Sequence, residues 1–407
     1  MKLGLRRPHC PDPSEKMEYT MLKIEIIDSN KRSDVIRFYK IPFSMYANTP
    51  QWVPPLWADL SMQLNRKKHP FYEHSDADFF IAVKDGKDVG RIAIMENKPY
   101  NKYHHRKVAA FYLFECVADQ GVANALFERV FVWARKRGLD TVMGPKGFGP
   151  LDGYGMLVDG FDHRQTMMMS AYNKPYLPHL LETMGFRKEV DFITCLIDRE
   201  AFRMPQRVHQ IAERVLKRGS FKVLSFRNKK ELLQWIPSFI KAYNAAFVKN
   251  WEYYPLSDWE VNFVVDNIIQ FLDQDLIKIM THKDEVVGFI LSFPDISDAL
   301  QRTRGYVPPL ALLDSIPPPL AILDILREAK RTKWLALNGG GVLPEFKGIG
   351  GNALMYSEME KTINGRVQQF EFGELCQVAE TAVEMRSDLA NLGGRAYKNH
   401  RVFNRSI

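Results

Sequence analysis

The sequence predicts an α/β protein made of two copies of one mixed-sheet unit, with helices on both faces of the sheet in each copy. Three observations predict this fold class. The chain has 407 residues, too many for one compact core, so two domains are expected. Strand-like, hairpin-like and helix-like segments follow one another in the same order in both halves. Short matching pairs recur at matching places: Val89-Gly90 with Val287-Gly288 after the hairpins, and Gly185-Phe186 with Gly393-Gly394 after the last helices.

The first copy is predicted over residues 22–200, after a flexible tail of residues 1–21. Prolines 50, 54 and 55 separate its first two helices, and Lys84-Asp85-Gly86-Lys87 is typical of a hairpin turn. The predicted elements, in order, are a strand over 22–27, helices over 30–46 and 56–64, hairpin strands over 78–83 and 89–95, a strand over 108–117, a helix over 122–137, a strand over 141–144, a helix over 176–185 and a strand over 186–197.

The second copy is predicted over residues 201–407, with residues 199–218 as the link between the halves. Its predicted elements are a strand over 221–226, helices over 229–247 and 258–272, hairpin strands over 277–281 and 286–293, a central strand and helix over 334–361, a strand over 369–375, a helix over 379–392 and a closing segment over 395–404. Residues 294–333 form an apolar, proline-interrupted insertion, which is either a helical flap over a substrate channel or a helix pair packed on the domain.

Composition favours a globular protein, with 46% hydrophobic and 26% charged residues. Apolar stretches are broken by charge or proline, so no membrane span is expected, and the N-terminus lacks the apolar region of a secretory signal. Four scattered cysteines are typical of reduced core residues, which favours a cytoplasmic location. The histidines have no metal-ligand spacing, so no metal site is expected.

The net charge of +8 suits a phosphorylated cofactor, an acidic carrier protein, tRNA or a membrane surface. It is equally typical of a protein that uses charge only for solubility. No dense basic block or RNA-binding motif is present, and no specific nucleic-acid binding is therefore expected.

A glycine-rich segment in the second half is the candidate anion site. A buried strand is predicted from Trp334, followed by Gly339-Gly340-Gly341, then Pro344-Glu345-Phe346-Lys347, and then Gly348, Gly350 and Gly351 at the start of a helix. Backbone amides without Cβ atoms, at a helix N-terminus and beside a lysine, can hold a pyrophosphate. A plain left-handed turn before a helix explains the same glycines.

The order of these residues resembles motif A of the GNAT superfamily of acyl-CoA N-acyltransferases, in which a Pro-Glu-aromatic-basic-Gly-x-Gly segment receives the pyrophosphate of coenzyme A. Pro344 to Gly348 and Gly350 match this pattern, whereas Asn352 replaces the usual small residue. The segments QWVPPL (51–56), GMLVDGFD (155–162) and GGRAYKNHRVF (393–403) resemble a group of bacterial tandem GNAT-like proteins.

The resemblance implies acetyl-CoA or another acyl-CoA as donor and a small-molecule or peptide amine as acceptor. It also implies two central parallel strands that separate around the pantetheine arm. The residues expected to bind the donor are Gly341, Val342, Leu343, Lys347, Gly348, Ile349, Gly350, Gly351, Asn352 and Ala353. Glu374 is the candidate general base and Tyr397 the candidate general acid. A surface carboxylate and a packed aromatic are the structural alternatives for these two residues.

The first half lacks the cradle, since Glu115 to Val122 contains one glycine and places Asp119 where a phosphate would be repelled. The first half is either part of an acceptor pocket, with Asp152, Tyr154 and Asp159 as candidate lining residues, or a structural relic. Two other functions stay open: a transferase fed by acyl carrier protein or aminoacyl-tRNA, and a binding module whose coenzyme site has decayed.

Overall fold

The computed structural model describes residues 21–149, 152–166, 170–248, 250–269, 272–305, 319–366 and 369–407. Residues 1–20 of the predicted tail and residues 306–318 of the predicted insertion lie outside the described residues. The strands are β1 (Leu22–Ile26), β2 (Asp76–Lys84), β3 (Lys87–Glu96), β4 (Val108–Cys116), β5 (Thr141–Gly144), β6 (Met156–Asp159), β7 (Arg187–Asp198), β8 (Lys222–Val223), β9 (Ile277–His282), β10 (Glu285–Pro294), β11 (Trp334–Val342), β12 (Phe372–Ala379) and β13 (Arg395–Ser406).

The described helices follow the predicted order, with additions. They are α1 (Arg32–Met45), α2 (Trp57–Gln63), α3 (Lys98–His104), α4 (Gln120–Arg135), α5 (Tyr176–Thr183), α6 (Gln206–Lys217), α7 (Lys229–Leu233), α8 (Ile236–Phe247), α9 (Asp258–Ile268), α10 (Ser297–Thr303), α11 (Pro319–Arg331), α12 (Gly351–Gly365) and α13 (Val383–Asn391). Helix α6 occupies most of the predicted link, and α3 and β6 were not predicted. The predicted helix over 229–247 is broken into α7 and α8 ahead of Pro237, which lacks the amide that a continuous helix needs.

All thirteen described strands belong to one sheet, rather than to a separate sheet in each half. Their order is β1-β2-β3-β4-β5-β13-β7-β12-β11-β10-β9-β8, with β6 beside β13. Helices cover both faces. In the second half, α6 and α12 pack on Ile290 and Val342, whereas Phe239 and Phe247 of α8 pack on Phe289 from the other face. The predicted fold class, a mixed sheet between helical layers, is confirmed.

The two halves exchange strands at the centre of this sheet. The last strand of the chain, β13, lies between β5 and β7 of the first half and is antiparallel to both. Strand β7 in turn pairs with β12 of the second half. Strand pairing therefore crosses the predicted boundary at residue 200, and the division into two domains stays a prediction.

Each half contains one parallel strand pair that separates part-way along. In the second half, β11 and β12 are paired from Trp334–Phe372 to Leu337–Leu375. Beyond that point β11 continues to Val342 on β10 alone. In the first half, β4 and β5 are paired only from Val108–Thr141 to Ala110–Met143. The gap between β11 and β12 is where the sequence predicts a donor and its reactive carbonyl.

Candidate active site

The gap opens at a β-bulge in β11. Leu337 pairs with Ser292 and Gly339 with Leu291, which leaves Asn338 as an extra residue. Both side-chain amide atoms of Asn338 are buried and have no hydrogen-bond partner in the part of the chain that the structure describes. Because a buried amide without partners is costly, this side chain is a candidate contact for a substrate in the gap.

Fewer backbone amides at the end of β11 face the gap than the predicted contact over Gly341 to Leu343 requires. The amide of Leu343 already donates to the Val287 carbonyl at 2.9 Å, toward β10. Since successive amides of a strand point in opposite directions, the amide of Val342 faces the gap. Gly341 has a different role in the packing, because a Cβ at this position would lie 3.1 Å from the Ala246 Cβ of α8.

The glycine-rich turn before α12 presents a row of free amides. Within the described residues, the N–H groups of residues 348–353 donate to no carbonyl or side chain. Gly348 and Gly350 have φ angles of +75° and +96°, so both adopt the left-handed conformation that favours glycine. An added Cβ at Gly348 would meet no atom within 4 Å, whereas one at Gly350 would lie 2.7 Å from side-chain carbons of Ile211 and Val215.

The two polar side chains of this turn contact α13 across the mouth of the gap. The ammonium of Lys347 lies 2.7 Å from the Glu384 carboxylate. The Asn352 amide donates to Asp388 Oδ2 at 3.0 Å, and the Tyr356 hydroxyl lies 3.3 Å from the same oxygen. Lys347 is therefore not an unpaired cation, and two carboxylates stand close to the predicted pyrophosphate cradle.

Glu374 lies in the paired part of β12, opposite Ala336, and its side chain is fully buried. Its Oε1 accepts a hydrogen bond of 2.7 Å from the Tyr397 hydroxyl and forms an ion pair with the Lys398 ammonium. Its Oε2 has no partner among the described residues. The structure thus brings Glu374 and Tyr397 together and adds Lys398, which the sequence analysis did not single out.

A second β-bulge, in β13, allows the consecutive residues Tyr397 and Lys398 both to contact Glu374. Tyr397 is the extra residue of β13 between the pairs Ala396–Cys195 and Lys398–Thr194. Burial, and then the negative charge of Glu374, raise the pKa of Tyr397 above its usual range, so the phenol keeps its proton. Gly160 makes this arrangement possible, because a Cβ there would lie 2.3 Å from the Tyr397 carbonyl oxygen.

Lys398 is held by the first half of the chain. Its side chain is 2% exposed, and its ammonium donates to the Arg164 carbonyl at 3.1 Å. The Arg164 guanidinium forms an ion pair with the buried Asp295 and lies 3.2 Å from Asp298 of α10. Residues of both halves therefore build the surroundings of Glu374.

In the first half, the N-terminus of α4 corresponds to the N-terminus of α12, and a carboxylate of the chain occupies it. The Asp119 carboxylate accepts from the amides of Gly121 and Val122 at the start of α4, at 2.8 and 3.3 Å, and lies 2.7 Å from the Lys84 ammonium. A carboxylate here takes the place that an incoming phosphate would need. The expectation that the first half holds no pyrophosphate stays a prediction.

The three residues expected to line an acceptor pocket do not converge. Asp152 accepts hydrogen bonds from Gln63 and from the Gly149 amide, both at 2.8 Å. Tyr154 is buried, and its carbonyl accepts from Gln377 of β12 at 2.8 Å. Asp159 is exposed and bonds to the amide of the next residue. Only Tyr154 directly contacts the strand that carries Glu374.

Neither metal ligands nor a membrane-spanning helix is found in the described ranges. No group of three or more His, Cys, Asp or Glu side chains among these residues could hold a metal ion. Across the same residues, no helix has both the length and the apolar character needed to cross a membrane.

Two curated proteins align with nearly the whole chain. It is 25% identical over 393 residues to "Bacterial ceramide synthase" of Caulobacter vibrioides, which covers 95% of this chain and 99% of that protein. It is 22% identical over 377 residues to "Protein YghO" of Escherichia coli, covering 92% and 94%. No family model matches the chain.

Solved structures with the same architecture are much more distant in sequence. A tandem GNAT protein from the clavulanic acid biosynthesis pathway superposes with a TM-score of 0.55 at 10% identity, covering 95% of this chain and 98% of that one. A GCN5-related N-acetyltransferase from Sphaerobacter thermophilus gives a TM-score of 0.50 at 12% identity, covering 95% of each chain. The chain therefore has the tandem GNAT fold, as the resemblance of its sequence predicted.

Proposed function

We propose that the protein is an N-acyltransferase that moves an acyl group from the thioester of an acyl-CoA to an amine. The observation that carries this proposal is the buried Glu374 carboxylate beside the gap, whose Oε2 has no partner among the described residues. A carboxylate in this state can accept the proton of an attacking amine. The tandem GNAT fold supports the same class of reaction.

The turn before α12 fits the diphosphate of a coenzyme A donor. Its amides from Gly348 to Ala353 have no partner among the described residues, and they surround the N-terminus of a helix of 15 residues. A bound donor would supply an acyl carbonyl activated as a thioester. Lys347 would add a positive charge to this site once its contact with Glu384 is broken.

The chain's own groups can then move one proton from nitrogen to sulfur. Glu374 Oε2 accepts a proton as the new N–C bond forms and the C–S bond breaks. The Val342 amide donates a hydrogen bond to the carbonyl oxygen, where negative charge develops. Tyr397 protonates the leaving sulfur and regains a proton from Glu374, its hydrogen-bond partner at 2.7 Å. Lys398 compensates the buried charge of Glu374 and acts as a positioning residue.

The alignment with a bacterial ceramide synthase narrows the proposed acceptor. Ceramide is the amide of a fatty acid with a long-chain amino alcohol, so we extend the proposal to an acceptor of this type and to a long acyl chain. The sequence alone favours acetyl-CoA. The Asn338 amide, whose donor and acceptor groups have no partner among the described residues, suits the hydroxyl groups next to the amine of such an acceptor.

The test is a transfer assay with purified protein. Acetyl-CoA, long-chain acyl-CoA and acyl-loaded acyl carrier protein are each combined with sphinganine, a polyamine and an amino acid, and the amides are identified by mass spectrometry while free thiol is followed. We expect an N-acylated product from an acyl-CoA and sphinganine. Turnover of acyl carrier protein alone would favour a carrier-fed transferase, and no turnover of any donor would refute the proposal.

A further inference from the structure

Helix α11 carries an exposed apolar patch that the proposed reaction does not use. Ile322, Leu323 and Leu326 are 43%, 38% and 38% exposed. The helix is anchored from its opposite side, where the buried Ile325 packs against Ala299 and Leu300 of α10. These three aliphatic side chains are therefore left outside a core that already holds the helix in place.

The charges on α11 are sorted around this patch. Counting about 100° per residue, the half of the helix that contains Ile322, Leu323 and Leu326 also carries Arg327, Lys330 and Arg331 and no acidic residue. The acidic residues of the helix lie on its other half. There Asp324 and Glu328 contact Arg302 at 3.0 and 2.5 Å.

Two of the cations, Arg327 and Lys330, are exposed and form no ion pair with any described residue. Arg331, in contrast, lies 3.0 Å from Glu328. The exposed half of α11 thus presents aliphatic side chains at its first turns and, toward its end, two cations that pair with no described residue, which is typical of helices that lie in a membrane interface.

We propose that α11 docks the protein on the surface of a bilayer that contains anionic lipids. Ile322, Leu323 and Leu326 enter the boundary between headgroups and acyl chains, while Arg327 and Lys330 contact lipid phosphates. A second copy of the chain suits the patch less well, because a twofold contact would bring like charges together. The inference goes beyond the proposed function, since it concerns where the enzyme works and not which bond it makes.

The test is flotation of the full chain with vesicles, without any acyl donor. We expect binding to vesicles that contain phosphatidylglycerol and much weaker binding to pure phosphatidylcholine. Leu323→Glu with Leu326→Glu should lower binding by at least about tenfold, and Arg327→Glu by about fivefold or more, the effect expected of one cation near an anionic surface. Val132→Glu is the matched control, because Val132 is 40% exposed on a helix of the first half.

Each outcome decides the question. Loss of flotation in the α11 variants, with unchanged binding of the Val132 variant and unchanged circular dichroism, supports the docking surface. The proposal is overturned if the unaltered chain binds neither vesicle, or if the α11 variants bind as well as the control. It is also overturned if light scattering reveals a dimer that the α11 variants dissociate, because the patch then serves a second copy. None of these results depends on transferase activity.

Discussion

Replacing Glu374 by glutamine removes the one carboxylate that the proposed reaction needs and keeps the shape of the side chain. Loss of a general base lowers kcat by about 100-fold to 10,000-fold. This range corresponds to about 3 to 5 kcal/mol of transition-state stabilisation. KM for the acyl donor should change little, because Glu374 lies in the paired part of β12 and not in the turn that starts α12.

The same change also affects the free energy of unfolding. It leaves the Lys398 ammonium, 2% exposed, without its counter-charge. Removal of one partner of a buried pair costs about 3 to 5 kcal/mol. We expect the lower end, because the glutamine oxygen can still accept hydrogen bonds from Tyr397 and Lys398. Glu374→Gln combined with Lys398→Met neutralises both partners and should recover most of this loss.

The two variants separate catalysis from folding. Chemical denaturation gives the free energy of unfolding, and single-turnover transfer from acyl-CoA gives the rate of the chemical step. The double variant should be nearly as stable as the unaltered protein and still inactive. A normal rate of acyl transfer in the single variant would refute the role of Glu374 as general base. A return of activity together with stability in the double variant would refute it equally.

Four further changes test other parts of the site and one buried carboxylate of β4, Glu115. Gly348→Val should raise KM for the donor about tenfold or more, which corresponds to the loss of one hydrogen bond to a charged group. The control is Gly138→Val, which should leave KM unchanged, because Gly138 has a similar φ and equally open surroundings. Glu384→Gln frees Lys347, so the donor Kd measured by calorimetry should fall, most clearly at low ionic strength. Tyr397→Phe should lower kcat without changing KM. An unchanged kcat would contradict the role of the phenol as general acid and assign it to packing. Burial raises the pKa of Glu115 to about 7, so the free energy of unfolding should decrease as pH rises from about 4.5 to 7; Glu115→Gln should abolish this decrease in denaturation curves.

The parts of the site that could be predicted are those that depend on local sequence. Gly348 and Gly350 stand in left-handed conformations that few other residues adopt, so the turn before α12 could be read from their spacing. Helix α6 also has a local signal, because Val208, Ile211, Ala212 and Val215 repeat with helical spacing. It was not predicted, since these residues lie in the predicted link between the halves.

The surroundings of Glu374 could not be predicted, because they depend on strand order. In the sequence Lys398 is one cation in a strand that carries several polar residues. It becomes 2% exposed only because β13 enters the sheet between β5 and β7. The bulges at Asn338 and Tyr397 have no local signal either, because a bulge depends on the partner strand. The first lies between β11 and β10, and the second between β13 and β7 of the other half.

The strand exchange makes the candidate site depend on both halves of the chain. Glu374 lies on β12 and its partners Tyr397 and Lys398 on β13, with β7 of the first half between these strands. A fragment of residues 201–407 lacks that strand, and it also lacks the Arg164 carbonyl that accepts from Lys398. The first half, whose own anion position is closed by Asp119, therefore still contributes to the candidate site. It supplies the strand and the loop that hold the Glu374 carboxylate in place.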